Sequence, residues 1–254
     1  MKFKLTKTTK EPFWTTLYQI KALKDFWNVS KWDLWWWIEK ESNLSQEDNS
    51  RVSWDALVYW DALVSWDALV YWNALVYWDA RVYWDARVSW NALVYWDARV
   101  SWNALVSWNA RVSWNARVSW NALVYWDALV SWNARVSWDA RVYWDARVSW
   151  NARVSWNALV YWDALVSWNA RVSWNALVYW DARVSWNALV SWEIKLQSWW
   201  CFARKDKNRD IAEIENEWTI LLIKDYEPIE DEEAKKMTVK EIIDKLWYEI
   251  EIVD

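Results

Sequence analysis

A chain of 254 residues with a formal net charge of −5 has no basic excess with which to hold nucleic acid or an anionic membrane. It contains no His, so the usual side chain for proton transfer near neutral pH is missing, and its single Cys201 can form no intrachain disulfide. No apolar run reaches membrane-spanning length, and Met1-Lys-Phe-Lys-Leu lacks the apolar core and cleavage pattern of a secretion signal, so the expected compartment is cytoplasmic, or a phage particle.

Taken in order, residues 1–50 read as an N-terminal β-rich cap. Thr16-Leu-Tyr-Gln-Ile-Lys-Ala-Leu is strand-like, and Glu41-Ser-Asn-Leu-Ser leads into the next segment. Residues 51–192 form an array in which Trp-[Asp/Asn]-Ala-[Leu/Arg]-Val-[Ser/Tyr] recurs without an insertion. Ala and Val never vary, as in Ala56, Ala62, Val58 and Val64. The column between them exchanges Leu for Arg, which a dry core cannot accept because an unpaired buried guanidinium is too costly. Ser and Tyr exchange as freely after each Val. Ala and Val therefore face inward and Leu/Arg and Ser/Tyr outward, the two-residue alternation of a strand. Asp and Asn, which tolerate turns and left-handed backbone, mark a corner every six residues.

The outer column counts the strands in each coil. Steps of eighteen from Arg81 give Arg99, Arg117, Arg135, Arg153 and Arg171; steps from Leu69 give Arg87, Leu105, Leu123, Arg141, Leu159 and Leu177. Tyr125, Tyr143, Tyr161 and Tyr179 keep the same step. Three hexads per super-period mean three strands per turn, a triangular prism whose faces differ. Its coils stack at roughly 4.8 Å each.

Residues 193–225 are expected to add closing strands, with Glu193-Ile-Lys-Leu-Gln sealing the array and Trp218-Thr-Ile-Leu-Leu-Ile-Lys as a strand. Residues 226–254 read as an acidic linker with Pro228, a short helix opened by the capping box Thr238-Val-Lys-Glu241, and a final strand Tyr248-Glu-Ile-Glu-Ile-Val.

From Arg51 to Ser191 the unit Val-[Ser/Tyr]-x-[Asn/Asp]-Ala-x resembles the hexapeptide repeat of left-handed parallel β-helices. More closely it is similar to bacterial and phage hexapeptide proteins of unknown role whose repeats read ARVYGNARVSGDA. The resemblance implies an all-β fold: a left-handed three-sided parallel β-helix with a small N-terminal β cap and a C-terminal α+β tail. The handedness comes from the resemblance alone. In that family Gly stands where this chain has Trp, and the lead-in reads KGDLGGWIEKESNLS against Lys31-Trp-Asp-Leu-Trp-Trp-Trp-Ile-Glu-Lys here. The chain has no Gly and 34 Trp. Two readings stand: a codon meaning glycine in the source organism has been read as tryptophan, or the corners carry genuine indole ladders.

Hexapeptide β-helix proteins include acyltransferases that use His as general base, and this chain has none, nor any loop inserted in the array to build a pocket. The expectation is therefore a non-enzymatic structural or interaction module without cofactor or metal, with a small-molecule substrate not expected. The alternatives are a degenerate acyltransferase-like protein and a rigid spacer presenting the C-terminal tail to a partner. Two surfaces are candidates. The column Arg81, Arg99, Arg117, Arg135, Arg153 and Arg171 reads as a grip on a polyanion or acidic partner, or as a solvated face whose arginines pair with corner carboxylates such as Asp79 and Asp97. The stripe Leu105, Leu123, Leu159 and Leu177 reads as a self-association surface, which predicts a homo-oligomer or a protein partner. The column Asp127, Asp145, Asp163 and Asp181 reads as turn chemistry before cation binding.

Overall fold

A computed structural model describes residues 1–203 apart from 13, 27–28, 187, 192–194 and 197–199, together with the strands Arg209–Ile211 and Leu222–Lys224. The linker, helix and strand expected over 226–254 lie outside the described residues.

The array is a three-sided parallel β-solenoid. Each hexad yields a strand of two to four residues, and strands eighteen residues apart pair in parallel: Leu57 with Leu75, Leu63 with Arg81, Leu69 with Arg87. Consecutive hexads go to successive sheets, so three strands make one coil, as the outer column predicts. The invariant columns explain the core. From Ala56 to Val190, Ala and Val are 0–1% exposed. A β-branched Val suits the pleated strand, and an Ala methyl lets the chain bend toward the next face without crowding the narrow interior. Backbone bonds run between coils; Leu57 N donates to Ala74 O at 3.0 Å and Arg135 N to Ala152 O at 2.9 Å.

The corners are tight turns. Ala56 N donates to Ser53 O at 3.3 Å across Trp54 and Asp55, whose φ values are 45° and 55°. Two positive φ angles at the centre of a turn are the signature of type I′, which favours Gly, Asn and Asp. All 22 corner tryptophans from Trp54 to Trp180 have φ between 45° and 60°. That region costs a residue with a Cβ about 1–2 kcal/mol, and glycine occupies it freely. Where the following Asx is also left-handed, its N–H can turn along the solenoid axis. Asn133 N donates to Trp114 O and Asn151 N to Trp132 O, both at 2.9 Å.

The outer surface differs from the alternation in one respect. The position before each Trp points outward, yet Ser89, Ser101, Ser107 and Ser113 are buried. Ser101 lies in register with Tyr83 and Ser107 with Tyr125, so each short side chain has a large ring in the neighbouring coil.

The ends are built from residues outside the repeat. The first parallel rung begins within the segment read as a cap: Trp37 pairs with Leu57, Ile38 with Val58, Leu44 with Val64 and Val52 with Val70. Strands β1 (Phe3–Lys10), β2 (Leu17–Ala22) and β3 (Leu34–Ile38) run antiparallel to one another, and β3 carries them onto one solenoid sheet. Phe3, Ile20, Ile38 and Leu44 fill the open end of the core with side chains larger than Ala or Val. Asn43, wholly buried, donates from Nδ2 to the carbonyls of Trp60 and Ala62 at 2.8 Å each, while its Oδ1 accepts from Lys40 N at 2.8 Å. Gln46 Oε1 accepts from Lys2 N (2.7 Å) and Phe3 N (3.1 Å), tying β1 across the end. Lys2 is almost fully buried, donating from Nζ to the carbonyls of Asp48 and Ser50 at 2.9 Å, and burial lowers its amine to about 8. At the other end Lys195 and Leu196 pair with Leu177 and Val178, and Trp200–Ala203 pairs with Arg183–Trp186, which sets Cys201 in register with Val184. Arg209–Ile211 and Leu222–Lys224 form an antiparallel pair.

Candidate interaction faces

Three faces alternate with three corner columns. The arginine face lies between the corner that starts at Trp60 and the one that starts at Trp66. The corner column Trp54 to Trp180 is therefore the edge opposite it.

All six predicted arginines lie on that one sheet, in direct register: Arg81 with Arg99, Arg99 with Arg117, Arg117 with Arg135, Arg135 with Arg153, and Arg153 with Arg171. Each is exposed. The expected pairing with Asp79 and Asp97 is not found. Lys2 pairs with Asp48 and Lys40 with Asp61, and among the described residues none of the six arginines forms an ion pair. Arg81 stands beside Asp79 and Asp85 and Arg99 beside Asp97, with no ion pair there among the described residues, and higher on the face the corners hold few carboxylates. Beside Arg117, Arg153 and Arg171 both flanking corner residues are Asn (Asn115 and Asn121, Asn151 and Asn157, Asn169 and Asn175), and Arg135 has Asn133 and Asp139. Arg117, Arg135, Arg153 and Arg171, stacked at roughly 4.8 Å, thus face water with little countercharge beside them.

The leucine stripe is divided. Leu105 pairs with Leu123 and Leu159 with Leu177, but Arg141 stands between the two pairs, in register with both Leu123 and Leu159. All four leucines are half-buried. On the remaining face the outward Leu57 and Tyr59 are buried, packed in one cluster with Leu17 of β2. The chain's own cap covers that stretch, so it offers no docking surface.

The aromatic columns stack in register. Tyr125, Tyr143, Tyr161 and Tyr179 lie 5.2–5.3 Å apart with rings within 10° of parallel. In the corners, Trp114 and Trp132 are 4.7 Å apart at 4°, and Trp132 and Trp150 are 4.8 Å apart at 1°. Burial raises the phenol of Tyr77 to about 12, with a further contribution from Tyr95, and that of Tyr59 further still. Asp127, Asp145, Asp163 and Asp181 form an exposed column on the edge opposite the arginine face. Among the described residues no three acidic or Cys side chains gather as a metal-binding group, and no helix is long and apolar enough to cross a membrane.

The residues that the sequence did not single out are those of the end: Lys2, Asn43 and Gln46. None repeats, so no column comparison could mark them. No protein-family model matches the chain, and comparison with curated proteins returns no match.

Proposed function

We propose that the protein is a non-enzymatic structural module that works through its outer faces by associating laterally with copies of itself. One observation carries the reading: through the hexad array every rung is a strand of two to four residues, and the rungs follow one another without an inserted loop. Such a body offers long flat ladders for docking and no inserted segment from which to wall a substrate cavity. Sedimentation velocity on the full chain tests it. Dimers or larger species at micromolar concentration are expected, and a monomer at every concentration and salt level would refute it.

We further propose that the chain is a hexapeptide-repeat protein of bacterial or phage origin whose corner positions are glycine in the organism. The support is the left-handed backbone of all 22 corner tryptophans, a conformation that favours the residue this sequence lacks altogether. Intact mass with peptide mapping of protein from its natural source decides it. A mass several kilodaltons below 31.0 kDa, with glycine at the corners, is expected; a mass of 31.0 kDa would overturn it.

A further inference from the structure

Two columns of opposite charge lie on opposite sides of the solenoid. Arg117, Arg135, Arg153 and Arg171 project from one face, each an exposed residue without an ion pair among the described residues. Asp127, Asp145, Asp163 and Asp181 occupy the edge opposite, exposed and likewise without an ion pair. The two columns span the same four coils. Arg117 and Asp127 are ten residues apart in one coil, so their heights differ by roughly half a coil, about 2.7 Å. The edge also carries the stacked Tyr125 and Tyr143, and aromatic faces attract a guanidinium as carboxylates do.

We propose that copies of this chain dock face to edge, the arginine face of one receiving the aspartate edge of the next. The inference rests on the self-association reading and names the surfaces that perform it. Charge complementarity points to this occupant, and spacing makes it the best fit. Both columns step by one coil, so a neighbour with its axis parallel meets four guanidiniums with four carboxylates at a single axial offset. Double-stranded DNA, with a charge every ~1.7 Å along its axis, has no such match. Because the two surfaces differ and lie on opposite sides of the prism, the contact is heterologous and does not close. Each added copy leaves a fresh edge on one side and a fresh face on the other, which gives an open row.

The test uses full-length chain and two neutralised variants. The face variant carries Arg117→Gln, Arg135→Gln and Arg153→Gln; the edge variant carries Asp127→Asn, Asp145→Asn and Asp163→Asn. Far-UV circular dichroism checks that each keeps its β signature. In sedimentation velocity at about 20 mM salt the parent forms a series of species, and at about 0.5 M salt its apparent dissociation constant rises at least ~10-fold. Each variant alone is monomeric under the same conditions. Mixed in equal amounts, they form a dimer that does not grow, because docking uses the one intact face and the one intact edge of the pair and leaves only neutralised surfaces outside. A mixture that stays monomeric overturns the inference, as does a parent whose assembly ignores salt. If the charge variants still assemble while Leu105→Lys with Leu159→Lys does not, self-association stands and the face-to-edge contact falls. A parent that is monomeric throughout, but binds polyglutamate or heparin through the arginine face, removes both.

Discussion

Six arginines in direct register should make the arginine face work against its own fold. Neighbouring strands are roughly 4.8 Å apart, at which two unit charges in water repel by about 0.9 kcal/mol. Screening over a Debye length of about 8 Å at physiological salt reduces that to about 0.5 kcal/mol. Arg135 has such a neighbour on each side, Arg117 and Arg153, and weaker ones beyond. Arg135→Gln keeps most of the side-chain stem and removes the charge, so, with part of the gain offset by the lost attraction of Asp139, it should stabilise the fold by up to about 1 kcal/mol at 0.15 M salt. Arg111→Gln supplies the control, since Arg111 pairs with Leu93 and Leu129 and has no arginine above or below it. The assay is urea unfolding of dilute protein, followed by circular dichroism, at about 0.15 M and about 1 M salt. The expected result is a higher midpoint for Arg135→Gln than for Arg111→Gln at the lower salt. At about 1 M, where the Debye length is about 3 Å, the gap should mostly close. Equal midpoints at low salt, or a gap indifferent to salt, would refute the claim that the column is an uncompensated charge ladder.

Other outcomes follow from the corners and the end. Trp132→Gly and Trp132→Ala both lose the indole stack, but at φ 49° only Ala strains the backbone, so the Gly variant should be the more stable by about 1 kcal/mol in urea midpoints; parity would place the corner elsewhere in φ. Asn43→Leu leaves the carbonyls of Trp60 and Ala62 without their donor, at about 1–3 kcal/mol for each that stays dry, and hydrogen exchange should show the first rung opening before the middle of the array. Lys2, lowered to about 8 from 10.5, binds its proton less tightly folded than unfolded. Stability should therefore rise with pH from about 8 toward 10 by up to about 3 kcal/mol, and Lys2→Met should flatten that slope. The raised phenols of Tyr59 and Tyr77 act in the opposite sense, costing stability only above pH ~10 where unfolded tyrosine ionises, so the two effects separate.

The array was legible because the chain compares itself with itself. Ala56 and Val58 could be placed inside, and Arg81 and Arg99 on one face, from exchange patterns and a step of eighteen, and the pairings follow both. Residues that do not repeat carry no such mark. Ile38 and Leu44 take Val seats in the first rung six residues apart, but without Ala partners or a corner Asx they carry no repeat signature. Asn43 and Lys2 serve as hydrogen-bond partners at one end, a role that depends on which carbonyls the first coil leaves open. Column logic also read direction without neighbourhood. Exchange with Tyr placed Ser113 outward and could not show that it is buried. The same limit hid the division of the leucine stripe: Arg141 is one letter in a column, yet in register it separates two apolar pairs.

Three strands to a coil also govern how such a chain can change length. Adding or removing eighteen residues inserts or deletes one storey and leaves every façade aligned. A change of six keeps the Ala–Val core intact, since each hexad fits any strand position, but advances everything downstream by one side of the prism. One extra hexad after Arg117 would leave Arg81, Arg99 and Arg117 where they are and move Arg135, Arg153 and Arg171 onto the adjacent sheet. The fold would survive the slip and the pattern on its surface would not. The unbroken run of six arginines at eighteen-residue intervals therefore marks the coil, and not the hexad, as the unit that can be added or lost while its outer faces stay in line.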